Sequence, residues 1–152
     1  MQLIRSNSLA DHLTSIIHQD TQEHDEHFDL TVAEVYQFTE SGSLDFGGSE
    51  FQPAEKRELE AKKKNDDDEY GWWHLRKGTY QVTMNEQLTN LEDGMALVAP
   101  HEHVQQSGVL ANTNILSDEK EELPITMTIQ VPEAGCNIKE NARFAVVYIL
   151  GT

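Results

Sequence analysis

Apolar and polar residues alternate along much of the second half of the chain, and this period of two predicts strands. In "GTYQVTMNE" the apolar positions are Tyr80, Val82 and Met84. In "PITMTIQV" (124–131) Ile125, Met127, Ile129 and Val131 alternate without a break. "FDLTVAEVYQF" (28–38) is rich in β-branched and aromatic residues, and "GMALVAP" (94–100) is a short apolar run. Both read as strands. "RFAVVYIL" (143–150) is almost continuously apolar, which predicts a strand buried on both faces. "ESGSLDFGGSE" (40–50) reads as turns. Short strands at this spacing, with Gly, Asn and Asp between them, predict an all-β barrel or jelly roll.

Two segments break the pattern. "SLADHLTSIIHQD" places Leu9, Leu13, Ile16 and Ile17 on one helical face, with Ser8 able to cap and Asp11 three residues on. A short amphipathic N-terminal helix is expected. Residues 52–71 form a charged stretch in which Pro53 can open a helix and Glu58–Lys62 and Glu60–Lys64 are favourable i,i+4 pairs. Only Leu59 and Ala61 there could face a core, so the expectation is a solvated helix or mobile loop inserted into a single domain spanning 1–152. "TQEHDEH" (21–27) reads as a polar loop, and His18, His24 and His27 with their neighbouring acids as solvated surface. Trp72 and Trp73 read as core and interface anchors rather than a base-stacking platform.

Composition narrows the function. A chain of 152 residues suits one domain with one core. Its net charge of −16 argues against nucleic acid and anionic membranes as partners. A polyphosphate ligand would need a local cluster of Lys or Arg to override that field. The acidity fits either a halophile or simply an acidic protein, and the run Lys62-Lys63-Lys64 sits poorly with the former. A lone Cys136 rules out an internal disulfide and fits a reducing cytoplasm. No secretory leader is read at the start, and "FAVVYIL" is too short to span a bilayer. A cytoplasmic location is expected.

The stretch "ALVAPHEHVQQSG" (96–108) carries the most suggestive chemistry. If His101 and His103 lay on a strand, both imidazoles would point to one face, which suits a metal. Cupin-type barrels use such a pair with a further Glu and a later His. Here no His follows His103, and a site would have to borrow His74 or a carboxylate. Zincin spacing is absent. The expectation is therefore no metal, with the two imidazoles lining a pocket.

"FDLTVAEV", "GSLDFG", "WWHLRKGTYQVTMNE", "MALVAP…G" and "ARFAVVYIL" follow one another in the order and spacing of the dUTPase and dCTP deaminase superfamily. The chain resembles its archaeal dUTPase-like members over roughly residues 25–150, most specifically at "KGTYQVTMNE". The resemblance implies a distorted jelly-roll β-barrel of the dUTPase type that assembles as a homotrimer with active sites between subunits.

The resemblance also marks where the catalytic motifs have changed. Members carry Pro-Arg-Ser-Ser-x-x-Arg-x-Gly after the "ALV.P" strand, where Arg and Ser grip the triphosphate through charge-assisted bonds. Here Pro100 and Gly108 remain, His101 and Gln106 stand for the two Arg, and Glu102 and His103 for the two Ser. A carboxylate about 5 Å from a phosphate charge costs roughly 3 kcal/mol at an effective dielectric near 20. The pyrimidine-reading hairpin has become "SDEKEEL", with Asp118 at the acidic position. The deaminase acid is matched by Gln130, which cannot transfer a proton, and a late Gln by Val146. These changes predict a trimer that has lost nucleotide hydrolysis and serves a structural or regulatory role, with no cofactor. His101, Glu102, His103, Gln106, Asp118 and Gln130 would line its vestigial pocket. The alternative is an active dUTP diphosphatase or dCTP deaminase using magnesium, with Arg76, Lys77, Lys120 and Arg143 as the available phosphate-binding cations. A second alternative is a metal-dependent small-molecule enzyme built on His101 and His103.

Overall fold

The computed structural model describes residues 1–117 and 124–151. After β1 (Gln2–Leu3) and two 3₁₀ turns come β2 (Leu13–Thr14), a one-turn helix α1 (Gln19–Gln22) and the long strand β3 (Phe28–Phe38). Strands β4 (Lys56–Leu59), β5 (Trp72–Leu75), β6 (Gly78–Met84), β7 (Gln87–Leu88) and β8 (Met95–Pro100) follow. A second short helix, α2 (Glu102–Gln106), precedes β9 (Leu110–Ala111), β10 (Asn114–Ser117), β11 (Thr126–Val131), β12 (Cys136–Lys139) and β13 (Arg143–Gly151).

The main sheet is antiparallel and curled, in the order β10-β8-β13-β3-β6-β11-β9, a jelly-roll half-barrel. Its curl comes from β3. The first half of that strand pairs with β13 and the second half with β6 and β4. Register shifts at Val32/Glu34 and Arg143/Ala145 bend the ladder where the pairing changes. The alternating residues of β6, and of β11 with Ile125 just before it, point inward as expected: Tyr80, Val82, Met84, Ile125, Met127, Ile129 and Val131 are all buried.

In β13 only one face belongs to the core. Ala145, Val147 and Ile149 are fully buried, whereas Val146 and Tyr148 are half-buried, on the side of a cleft. The expectation of burial on both faces is corrected in that respect.

Two helix expectations also fail. Leu9 and Leu13 are buried, but from 3₁₀ turns and a short strand, and Ile17 is exposed. Pairing of Leu13 with Leu88 and a positive φ of 61° at Ser15 replace the helix. In 52–71 there is no helix: β4 pairs with the outer half of β3, Lys62 bridges Trp72, and bends and a turn lie between residues 64 and 70. Leu59 and Ala61 do pack on the core. The i,i+4 ion pairs have no helix to hold them. Trp73 is buried and its Nε1 donates to the Leu59 carbonyl, while Trp72 is half-buried beneath Lys64 and Lys139.

The "Asn-Glu" pair after β6 is a structural clamp. Asn85 Nδ2 donates to Asn141 Oδ1 and Thr31 Oγ1. Glu86, fully buried, accepts from the Thr31 amide (2.8 Å), the Thr31 hydroxyl (2.7 Å) and Gln22 Nε2 (2.8 Å). Gln22 Oε1 in turn accepts from the Ile17 and His18 amides, and its Nε2 also donates to the Asp29 carbonyl. The 17–22 segment is thereby fastened to β3 just beside Asp29.

Candidate functional site

The cleft where α2, β13 and the start of β3 meet has a volume of about 540 Å³. Asp29 lies at its base, completely buried. Asp29 pairs in register with Val146 of β13, which places its carboxylate on the cleft side of the sheet. A carboxylate so placed is costly without partners. It draws them from three elements.

From β13, Arg143 Nη1 donates to Asp29 Oδ2 at 3.3 Å. Arg143 would face away from Val146 and Tyr148 in an unbroken strand. The register shift between Arg143 and Ala145 turns it into the cleft with them. From the turn before β3, His24 Nε2 lies 3.0 Å from Oδ2 and His27 Nε2 lies 3.7 Å from Oδ1. That turn is closed by the His24 amide donating to the His27 carbonyl and by the Glu23–Phe28 bridge. It stacks the two rings with centroids 4.5 Å apart. From the start of α2, His101 Nε2 lies 3.8 Å from Oδ2.

His101 is not on a strand. It caps α2, its Nδ1 accepting the His103 amide at 3.0 Å. Neutral His101 therefore carries its proton on Nε2, facing Asp29. Burial pushes the pKa of His101 below the ordinary histidine value, with Asp29 opposing that shift. Burial and then neighbouring His24 do the same to His27. At neutral pH these two rings are uncharged, and the fixed charges lining the cleft are the carboxylates of Asp29 and Glu102 against the guanidinium of Arg143.

Several residues picked from the sequence do meet here: His101, Glu102, His103 and Arg143 line the cleft, and so does Val146. Gln106 does not, being replaced there by Gln105. Gln130 is exposed on β11, Arg76 and Lys77 are exposed between β5 and β6, and none of the three reaches the cleft. His74 bonds Asn137 on the β5–β12 ribbon instead. Asp118 and Lys120 fall outside the described residues. His24 and His27, expected as solvated surface, stay partly exposed but also approach the buried Asp29, while His18 is exposed and does not. Asp29 itself was the missed signal, an acid set in a strand otherwise apolar enough to be buried.

No family model matches the chain. A protein of Methanosarcina barkeri named "probable deoxyuridine 5'-triphosphate nucleotidohydrolase" is 30% identical to it over 91% of this chain and 79% of its own length. The chain belongs to the dUTPase and dCTP deaminase superfamily. A protein of the same name from Methanosarcina mazei is 27% identical over 99% of the chain and 85% of its own length. The crystal structure of 2'-deoxycytidine 5'-triphosphate deaminase from Agrobacterium tumefaciens superposes with a TM-score of 0.67 at 12% identity. It matches 97% of this chain, which spans 48% of that one. The likeness carries the superfamily fold, including the curled sheet that brings Pro100–Gly108 against β13.

Proposed function

We propose that this superfamily member neither hydrolyses dUTP nor deaminates dCTP, and that it acts as a homotrimer with a structural or regulatory role. The observation that carries the reading is the state of Arg143. It is the one Lys or Arg lining the cleft among the described residues, and it is held by the buried Asp29. A triphosphate would meet Glu102 and the His101 imidazole, which burial keeps uncharged, where the superfamily pattern places Arg and Ser. Each lost charge-assisted contact is worth roughly 1.5–3 kcal/mol, so losing two Arg weakens binding by at least about two orders of magnitude.

The experiment is calorimetry and turnover with dUTP and dCTP in magnesium, following pyrophosphate and ammonia release. The expected outcome is no saturable binding and no product. Micromolar binding of either triphosphate overturns the reading. One observation favours a second reading, an active dUTP diphosphatase: the similarity to relatives bearing that name runs along nearly the whole chain. That reading requires a neighbouring subunit to supply cations, with Arg76, Lys77 or Lys120 as candidates. If turnover is found, its loss in an Arg76→Ala/Lys77→Ala variant would identify the donors.

A further inference from the structure

We propose that His24, His27 and Asp29 form a binding site for a divalent transition-metal ion of the zinc class. One ligand atom from each of the three lies within 4.8 Å of the other two. In a tetrahedral zinc site ligand atoms sit about 3.3 Å apart, so modest rotation of the two rings closes the set. The turn that carries the rings already holds them stacked, which limits the entropy lost on closing.

A second observation is independent of the cluster. Asp29 Oδ1 is buried and has no hydrogen-bond partner among the described residues, with His27 Nε2 3.7 Å away, although the carboxylate lines the cleft. Oδ2 is already engaged by Arg143, and by His24 Nε2 in a bond that His24 would give up to take the metal through that nitrogen. A bare buried carboxylate oxygen is expensive, and a cation at Oδ1 gives it the missing partner. Arg143 would then stay on Oδ2 as an outer support for the ligand, and His101 Nε2–H would face the same oxygen. His101 cannot itself be a ligand while its Nδ1 holds the His103 amide, because its other nitrogen keeps the proton.

The donor set selects the metal class. Two imidazoles and one carboxylate suit zinc, cobalt or nickel better than magnesium or calcium, which take oxygen. The side chains of His24 and His27 are 39% and 30% exposed, so the fourth position opens to solvent. The inference does not depend on whether nucleotides are turned over, and its test contains none.

The test is a zinc titration of the full chain at pH 7.5 by calorimetry and thermal melting. One zinc per chain and a raised melting temperature are expected. His24→Ala/His27→Ala should weaken binding about tenfold or more. His103→Ala and Cys136→Ser should each retain the wild-type affinity. Absence of binding at 100-fold molar excess overturns the proposal, as does undiminished binding in His24→Ala/His27→Ala or loss in His103→Ala. A readout on the unaltered protein guards against a variant that does not fold. Zinc should shift the imidazole nitrogen resonances of His24 and His27 and leave those of His12, His18 and His74. Shifts spread over the exposed histidines would mean adventitious binding and sink the proposal.

Discussion

Replacing Glu86 by Gln removes one charge and no atoms from the core, and should still destabilise the fold by about 2–4 kcal/mol. The three groups that face Glu86 are all donors: the Thr31 amide on Oε1, and the Thr31 hydroxyl and Gln22 Nε2 on Oε2. A Gln amide nitrogen must take one of the two oxygen positions. At Oε1 it opposes the Thr31 amide, which cannot turn. At Oε2 the Thr31 hydroxyl can rotate to accept, but Gln22 cannot flip. Its own carbonyl holds the Ile17 and His18 amides, and its nitrogen also serves the Asp29 carbonyl. Either way one buried donor is orphaned, at about 1–3 kcal/mol, and the remaining charge-assisted bonds weaken by roughly 1 kcal/mol in total. The opposing effect is relief of a buried carboxylate that has no cation beside it among the described residues. Three short bonds are expected to outweigh it. Urea unfolding followed by Trp fluorescence, at one protein concentration, should show a lower midpoint with an unchanged slope. A Glu86→Gln protein as stable as wild type, or more so, would refute the reasoning and show that desolvation of the charge dominates.

Light scattering should give a trimer mass at micromolar concentration, and association should strengthen with ionic strength because each chain carries −16; a monomer mass at moderate salt would contradict it. His27 and His101 have lowered pKa values in the fold. The unfolded chain therefore takes up protons first as pH falls below about 6.5, and the stability present above that pH is lost on acidification. With chelator present, urea midpoints between pH 7.5 and 5.5 should fall more steeply for wild type than for His27→Asn/His101→Asn, and equal slopes would discount both rings.

What could be read from the sequence was what strand periodicity encodes locally. β6 and β11 emerge because alternate residues of each face a single core, so the pattern is a direct imprint of the pleat. The failures share a cause of another kind. Leu9, Leu13 and Ile16 have helical spacing, yet Leu13 is needed as a strand partner for Leu88. The charged segment has helical ion-pair spacing, yet the outer half of β3 leaves backbone groups that Lys56–Leu59 can pair. In both places a long-range backbone ladder outweighs propensities worth tenths of a kcal/mol per residue. The cleft was half legible for the same reason. His101, Glu102, His103 and Arg143 were reached through motif positions in the chain. His24 and His27 sit in a polar heptapeptide with no periodicity, and only the burial of Asp29 draws them in. An acid at the head of a strand with five consecutive buried residues, Phe28–Val32, demands donors, and the nearest in sequence are those two histidines.

The two proposals meet on that carboxylate. An anionic ligand that drew the Arg143 guanidinium off Asp29 Oδ2 would leave the buried charge with only imidazole neighbours. The ligand would thus bring negative charge into the cleft while stripping positive charge from its base, and both changes raise the free energy. A cation has the reverse effect. It approaches Oδ1, which has no hydrogen-bond partner among the described residues, and leaves the Arg143 contact on Oδ2 in place. Changing Asp29 should therefore separate the two behaviours more sharply than changing Arg143. Asp29→Asn would abolish the metal affinity while freeing Arg143 for an anion, so any residual affinity for inorganic pyrophosphate should rise in that variant as zinc binding falls.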